Sequence, residues 1–205
     1  MNLDTPQLLA VAAALGWASG LRLYAVVFLT GLAGFMGWVE LPQGLKMLQH
    51  PAMLGASGLM LFIEFFADKI PGVDSLWDLV HTVIRIPAGA ALAASVFGAD
   101  QATWATVAAL LGGTLAATSH VAKATTRAAV NTSPEPFSNV AMSLLGDGAV
   151  PAALWLSWAH PLVFFAVLAL ALVVMVTTIV VLAKFLRGLV RRVAGRSREA
   201  MVQEK

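Results

Sequence analysis

Residues 162–183 read "LVFFAVLALALVVMVTTIVVLA", 22 positions without a charge. As a helix rising 1.5 Å per residue, this run is about 33 Å long, enough to cross a hydrocarbon core of about 30 Å. The rest of the chain agrees with it. Of its 205 residues, 59% are hydrophobic and 12% charged, about half the charge of an ordinary soluble domain. The expected fold class is therefore all-α, a polytopic transmembrane helical bundle, because only helices satisfy their own backbone in lipid without closing a barrel. Cysteine is absent, which excludes disulfide frameworks and thiolate metal sites.

Glycine and proline divide the chain into about six membrane segments. The first, about 8–36, is too long for an upright span and carries "GWASGLR" at its middle, so it is expected to be tilted or broken into half-helices. The others cover about 51–69, 74–98, 101–130, 137–158 and 162–183. Pro87 is expected to interrupt the third and "GDGAVP" the fifth, with Asp147 in a loop. Asp4-Thr5-Pro6 reads as an N-cap with proline in the first turn. The N-terminus lacks the positive region of a cleaved signal, so the first segment is expected to be retained. From Lys184 onward the chain holds seven basic and two acidic residues, against six and nine before it. The expected organisation is one transmembrane domain, 1–187, and a basic tail, 188–205. The positive-inside rule places that tail in the cytoplasm, and an even number of spans would bring both termini there. Headgroup anchoring accounts for the basic run better than nucleic acid does.

The charges are not spread evenly. "EFFADKIPGVDSLWDLVHTVIRIP", residues 64–87, concentrates them between apolar stretches. On a helix, Asp74, Asp78, His81 and Arg85 fall at i, i+4, i+7 and i+11, in one narrow stripe. Glu64 and Asp68 share a face of the preceding helix, and His120, Lys123 and Arg127 form a second, basic stripe. Five acids (Glu64, Asp68, Asp74, Asp78, Glu135) stand against five bases (Arg22, Lys69, Arg85, Lys123, Arg127). Unpaired at membrane depth, ten charges would cost on the order of 25–35 kcal/mol, beyond the 5–15 kcal/mol or so of a typical fold. Two placements remain open. The groups pair around a polar cavity, with 73–86 re-entrant, or 73–86 lies flat at the interface with its charges toward water.

"NTSPEPFSN", 131–139, offers Asn131, Ser133, Glu135, Ser138 and Asn139 as supporting polar groups. Ser138 or Asn139 would cap the next helix and its N-terminus would face an anion. An ordinary capped loop explains the same residues, and Glu135 would balance Arg127 or Lys123. Glu64, Asp68, Asp74 and Asp78 are weak candidates for an all-oxygen metal site, with Lys69 opposing it. No metalloprotease motif, nucleophile elbow or phosphate-binding glycine loop is present, so neither an enzyme nor a cofactor is expected. Ser19, among glycines, reads as a packing residue.

Through "ASGLRLYAVVF", "EFFADKIPGVDSLWDLVHTVIRIPAGA" and "NTSPEPFSN", the chain resembles an uncharacterised bacterial integral-membrane family, a domain of unknown function (family number 4126). The resemblance covers nearly everything before the basic tail. It implies a polytopic fold in a bacterial inner membrane and leaves activity to the residues themselves. They point to a small transporter or channel-like permease, proton- or ion-coupled. Glu64, Asp68, Asp74 and Asp78 would bind a cation or carry protons, and His81 and His120 would relay them near neutral pH. Arg22, Arg85, Lys123 and Arg127 would be counter-charges or hold an anionic group. The alternatives are a flippase or scramblase for an anionic lipid headgroup, and a non-transporting scaffold locked by its charges. Expected partners are membrane lipids, a small ion, charged solute or lipid headgroup, and further copies of the chain; nucleic acid is not among them.

Overall fold

Asp4 starts the first helix as the sequence predicts: its side chain accepts from the Gln7 backbone N–H at 2.8 Å while the Gln7 side chain accepts from the Asp4 N–H, a reciprocal capping box. The computed structural model describes residues 3–70, 72–98, 101–132 and 137–203. Among them run α1 (Thr5–Phe35), a 3-10 helix (Gln43–Gln49), α2 (Pro51–Ala67), α3 (Val73–Ala94), α4 (Ala102–Val130), α5 (Phe137–Ala159) and α6 (Pro161–Gln203), and no strand. The six helical segments fall where the hydrophobic pattern places them. Four of them (α1, α4, α5 and α6) are long and apolar enough to cross a membrane, or five if the 3-10 helix and α2, bent by 70°, count as one span. The expected six crossings are thus too many on this criterion, and α3 falls short because it carries Asp74, Asp78 and Arg85.

The first segment is broken. Arg22 has φ −149° and ψ 87° inside α1, an extended backbone that no helix accommodates. Gln7 and Thr30 would lie about 35 Å apart on a straight helix, yet both line one cavity together with Leu3, Trp38 and Trp158. The chain therefore turns back at Arg22, and α1 enters and leaves at the same end of the bundle. That end also gathers Glu40, Leu41, Lys46 and Gln101 around Leu3 and Leu8. At the opposite end Asn131, after α4, hydrogen-bonds Asp74 and Ser75 at the start of α3. Because α6 departs from beside Ala159 at the first end, residue 3 and the C-terminal part of α6 lie at opposite ends. An even count with both termini on one side is overturned by this fold-back.

Two expected interruptions are absent. α3 continues through Pro87 and α5 through Pro151, with Gly146, Asp147 and Gly148 all helical. Each proline removes a single main-chain hydrogen bond, which neighbouring helices tolerate in a membrane bundle. Close packing comes from small residues. Gly16 abuts the Gly112 backbone, Gly20 abuts Ala116 and Ser119, and Gly89 abuts Ala116, so α1, α3 and α4 approach along a glycine–alanine seam. The apolar core, including Val11, Leu15, Leu45, Val96 and Phe164, fills the end where α1 starts and finishes.

Candidate functional site

α3 has its amphipathicity turned inside out. Asp74, Asp78, His81 and Arg85 are all buried, while Leu76, Leu79, Val80 and Val83 are exposed by 53–77%. In water this arrangement would expose the oily face and bury the charged one at a cost on both sides. In lipid it is the favourable arrangement. The flat, water-facing placement of 73–86 is excluded by this burial, and the continuity of α3 through Pro87 excludes a re-entrant break there.

The acidic and basic stripes meet. Arg85 Nη2 lies 2.5 Å from Glu64 Oε1 and its Nη1 2.7 Å from Asp78 Oδ1. Arg127 Nη1 bridges Asp68 Oδ1 at 2.9 Å and Asp78 Oδ2 at 3.1 Å. Lys123 Nζ does the same between Asp68 Oδ2 at 2.9 Å and Asp78 Oδ1 at 3.3 Å. Arg22 reaches Asp68 Oδ2 at 3.2 Å and Asp147 Oδ1 at 2.9 Å, and Lys69 joins Asp147 at 3.2 Å. Asp74 lies 3.9 Å from Arg127 Nε and accepts from the Gly72 and Ser75 N–H groups. Ten charges from α1 to α5 and their flanking turns thus form one continuous network. The oppositely charged neighbours repay part of the desolvation that each would otherwise suffer alone.

The broken helix takes part. Breaking α1 orphans the last carbonyls of its first arm. Lys123 Nζ donates to the Leu21 carbonyl at 2.9 Å, and Ser119 Oγ donates to the Trp17 carbonyl at 2.6 Å. The basic stripe of α4 therefore caps a half-helix and holds carboxylates at once, and a cation at a helix C-terminus is favoured by its dipole. Ser19, buried and bonded to the Leu15 carbonyl, is a packing residue as expected.

Each histidine has a ring nitrogen whose role its partner fixes. His81 Nδ1 faces the Trp77 carbonyl at 2.8 Å and must donate to it, and Nε2 lies 3.2 Å from the Tyr24 hydroxyl. Thr82 gives its hydroxyl proton to the Asp78 carbonyl, so His120 Nε2, 2.7 Å away, donates to Thr82. His120 Nδ1 then accepts from Arg85 Nη1 at 3.4 Å. Because an arginine N–H can only donate, the His120 ring is neutral in this arrangement.

Other expectations change. Ser133 and Glu135 lie outside the described residues, so the balancing role given to Glu135 is not placed; Asp68 and Asp78 pair with Arg127 and Lys123. Asp147, assigned to a loop by the sequence, supplies an acid to Arg22 and Lys69 from within α5. Ser138 and Asn139 sit in the first turn of α5, which starts at Phe137, and so are not its cap. Asn139 is buried at 1% exposure with neither amide atom hydrogen-bonded. The weak metal site of Glu64, Asp68, Asp74 and Asp78 does not form: among the described residues no three His, Asp or Glu side chains are placed to hold an ion, because arginine and lysine stand between the carboxylates. Sequence reasoning missed Asp147, Ser143, Tyr24 and Thr82. Asn139, Ser143 and Asp147 recur at i, i+4 and i+8, a stripe that assigning "GDGAVP" to a loop concealed.

A model of the family described as Domain of unknown function (DUF4126) matches residues 9–181. No curated protein and no solved structure matches the chain.

Proposed function

The chain belongs to the family described as Domain of unknown function (DUF4126), and from its ionic interior we propose that it is a small membrane permease that moves a charged solute, with protons, along that network. The observation that carries this reading is the shared pairing at the centre: Asp68 and Asp78 both contact Lys123 and Arg127. A lattice with two acceptors per cation lets partners exchange without leaving a bare charge in low dielectric. An entering anionic group can take the place of Asp78 on Arg127 while Asp78 remains on Arg85. A carboxylate so relieved of one of its cations is a better proton acceptor, and His120 and His81 stand beside the path. The basic C-terminal part of α6 supports an inner-membrane location with that end in the cytoplasm.

The test uses purified protein in liposomes under a potassium diffusion potential, with an internal pH-sensitive dye reporting proton flux. Asp78→Asn and Arg127→Gln are expected to lower flux at least tenfold while keeping folded yield, because the remaining charges keep ion-pair partners, except that Asp74, on losing Arg127, keeps its hydrogen bonds from Gly72, Ser75 and Asn131. Full flux in either variant sinks the site. If wild type is no faster than empty liposomes, and Asp78→Arg with Arg127→Asp together restore a fold that each alone destroys, the network is a structural lock.

A further inference from the structure

Between α1, α4, α5 and α6 lies a cavity of about 430 Å³, within the size range of small-molecule sites. Its floor is ionic, with Arg22, Lys123 and Arg127 accompanied by one carboxylate, Asp68. Asp78 and Asp147 pair with the same cations but do not line the cavity, so three cations face it against one acid. Arg22 is 1% exposed, and its Nη1 has no hydrogen-bond partner. A buried guanidinium N–H left unsatisfied carries a desolvation penalty, which an oxyanion at this floor would relieve.

The walls are of opposite character. Trp17, Met142, Leu145, Val174 and Met175 line them. Leu145 is 65% exposed and Val174 56%, and each sits mid-helix on the apolar outer surface. The cavity consequently opens sideways into lipid, with its charged floor deep inside and its apolar rim outside.

Resting on the permease reading, we infer that this cavity binds a membrane-borne amphiphilic anion, the class of solute that the protein carries. One oxyanion head, carboxylate or phosphate, sits on Arg22, Lys123 and Arg127, and its acyl chain lies against Met142, Leu145 and Val174. A water-soluble anion leaves the apolar walls and the sideways opening without a role, and a neutral lipid leaves the Arg22 N–H unmet.

Radiolabelled palmitate, phosphatidic acid, palmityl alcohol and acetate are each titrated against the purified full-length protein in detergent. Saturable binding of palmitate or of phosphatidic acid is expected, at least tenfold tighter than that of the alcohol or of acetate, and the tighter of the two anions identifies the head. Gly146 lines the cavity, and a Cβ there would meet Arg22 Nε at an ordinary 3.6 Å. Gly146→Leu should therefore fold, fill the space and weaken binding at least tenfold. Gly148→Leu, with nothing within 4 Å, should bind as wild type does. Alcohol binding equal to that of palmitate, acetate binding as tightly as palmitate, or undiminished binding by Gly146→Leu overturns the inference. Proton flux without amphiphile binding removes this site and spares the permease; binding without flux keeps the site and removes the permease.

Discussion

Glu64 and Arg85 are both 0% exposed, but they do not depend on each other equally. Arg85 also holds Asp78, whereas no second cation is placed within ion-pair distance of Glu64 among the described residues. Removing the arginine strands a carboxylate; removing the carboxylate leaves the arginine paired. Breaking a buried pair from the side that strands its partner costs about 3–5 kcal/mol. Arg85→Met is accordingly expected to lose about that much in equilibrium unfolding in detergent, and Glu64→Leu well under half of it. The double variant should recover most of the loss, since a buried ion pair is often replaceable by apolar groups of similar volume. A loss from Glu64→Leu as large as that from Arg85→Met would mean that Asp78 does not hold Arg85 once Glu64 is gone. At this scale much was legible in advance. The spacing of Asp74, Asp78, His81 and Arg85 fixes one face of a helix, and ionic cost alone requires that face to find its opposite. Which carboxylate meets which cation was not legible, because those distances depend on how deeply each helix sits against the next.

The elements explain why Arg22 can reach the network. Its extended backbone needs a helix that stops, and the α4 groups Ser119 and Lys123 supply donors for the carbonyls around that stop. The approach is close because a Cβ at Gly20 would collide with the Ala116 carbonyl and Ser119 Oγ. Gly20→Ala should consequently destabilise the bundle by about 1–3 kcal/mol through overpacking, despite a gain in helix propensity of up to about 1 kcal/mol. Gly55→Ala and Gly148→Ala, where nothing lies within 4 Å, should gain about 0.4–1 kcal/mol. Thermal unfolding of the three variants decides it, and stabilisation by Gly20→Ala would contradict the seam. "GWASGLR" announced a break by its small residues, but the fold-back was not readable from it, since glycine permits a turn without specifying its angle. Pro87 and Pro151 misled in the other direction. A missing N–H is a local defect, whereas the helices packed around it act over the whole element.

For the whole molecule, folding α1 back on itself changes which parts of the chain share a side of the membrane. Residue 3, the 3-10 helix and the start of α6 gather at one end, while the Asp74–Asn131 contact and the basic run of α6 lie at the other. The ionic network occupies the second half of this axis and the apolar core the first, so a polar path from the basic end stops against packed side chains. That asymmetry suits a carrier loaded from one side or from lipid better than an open pore, which would need a polar path continuing through the apolar core. Sidedness is directly measurable because the chain has no cysteine, making any introduced thiol unique. Leu3→Cys, Gln43→Cys and His160→Cys are expected to react with a membrane-impermeant maleimide from the same side, and Arg198→Cys only from the opposite one. With the protein in a bacterial inner membrane as proposed, the first three should label before that membrane is breached and Arg198→Cys afterwards, because the positive-inside rule assigns the end with seven basic residues from Lys184 onward to the cytoplasm. Opposite labelling of positions 3 and 43 would mean that α1 crosses straight, and the capped break at Arg22 would then lose its place in the site. Labelling of position 198 from outside would leave the fold intact and reverse the direction from which the network is loaded.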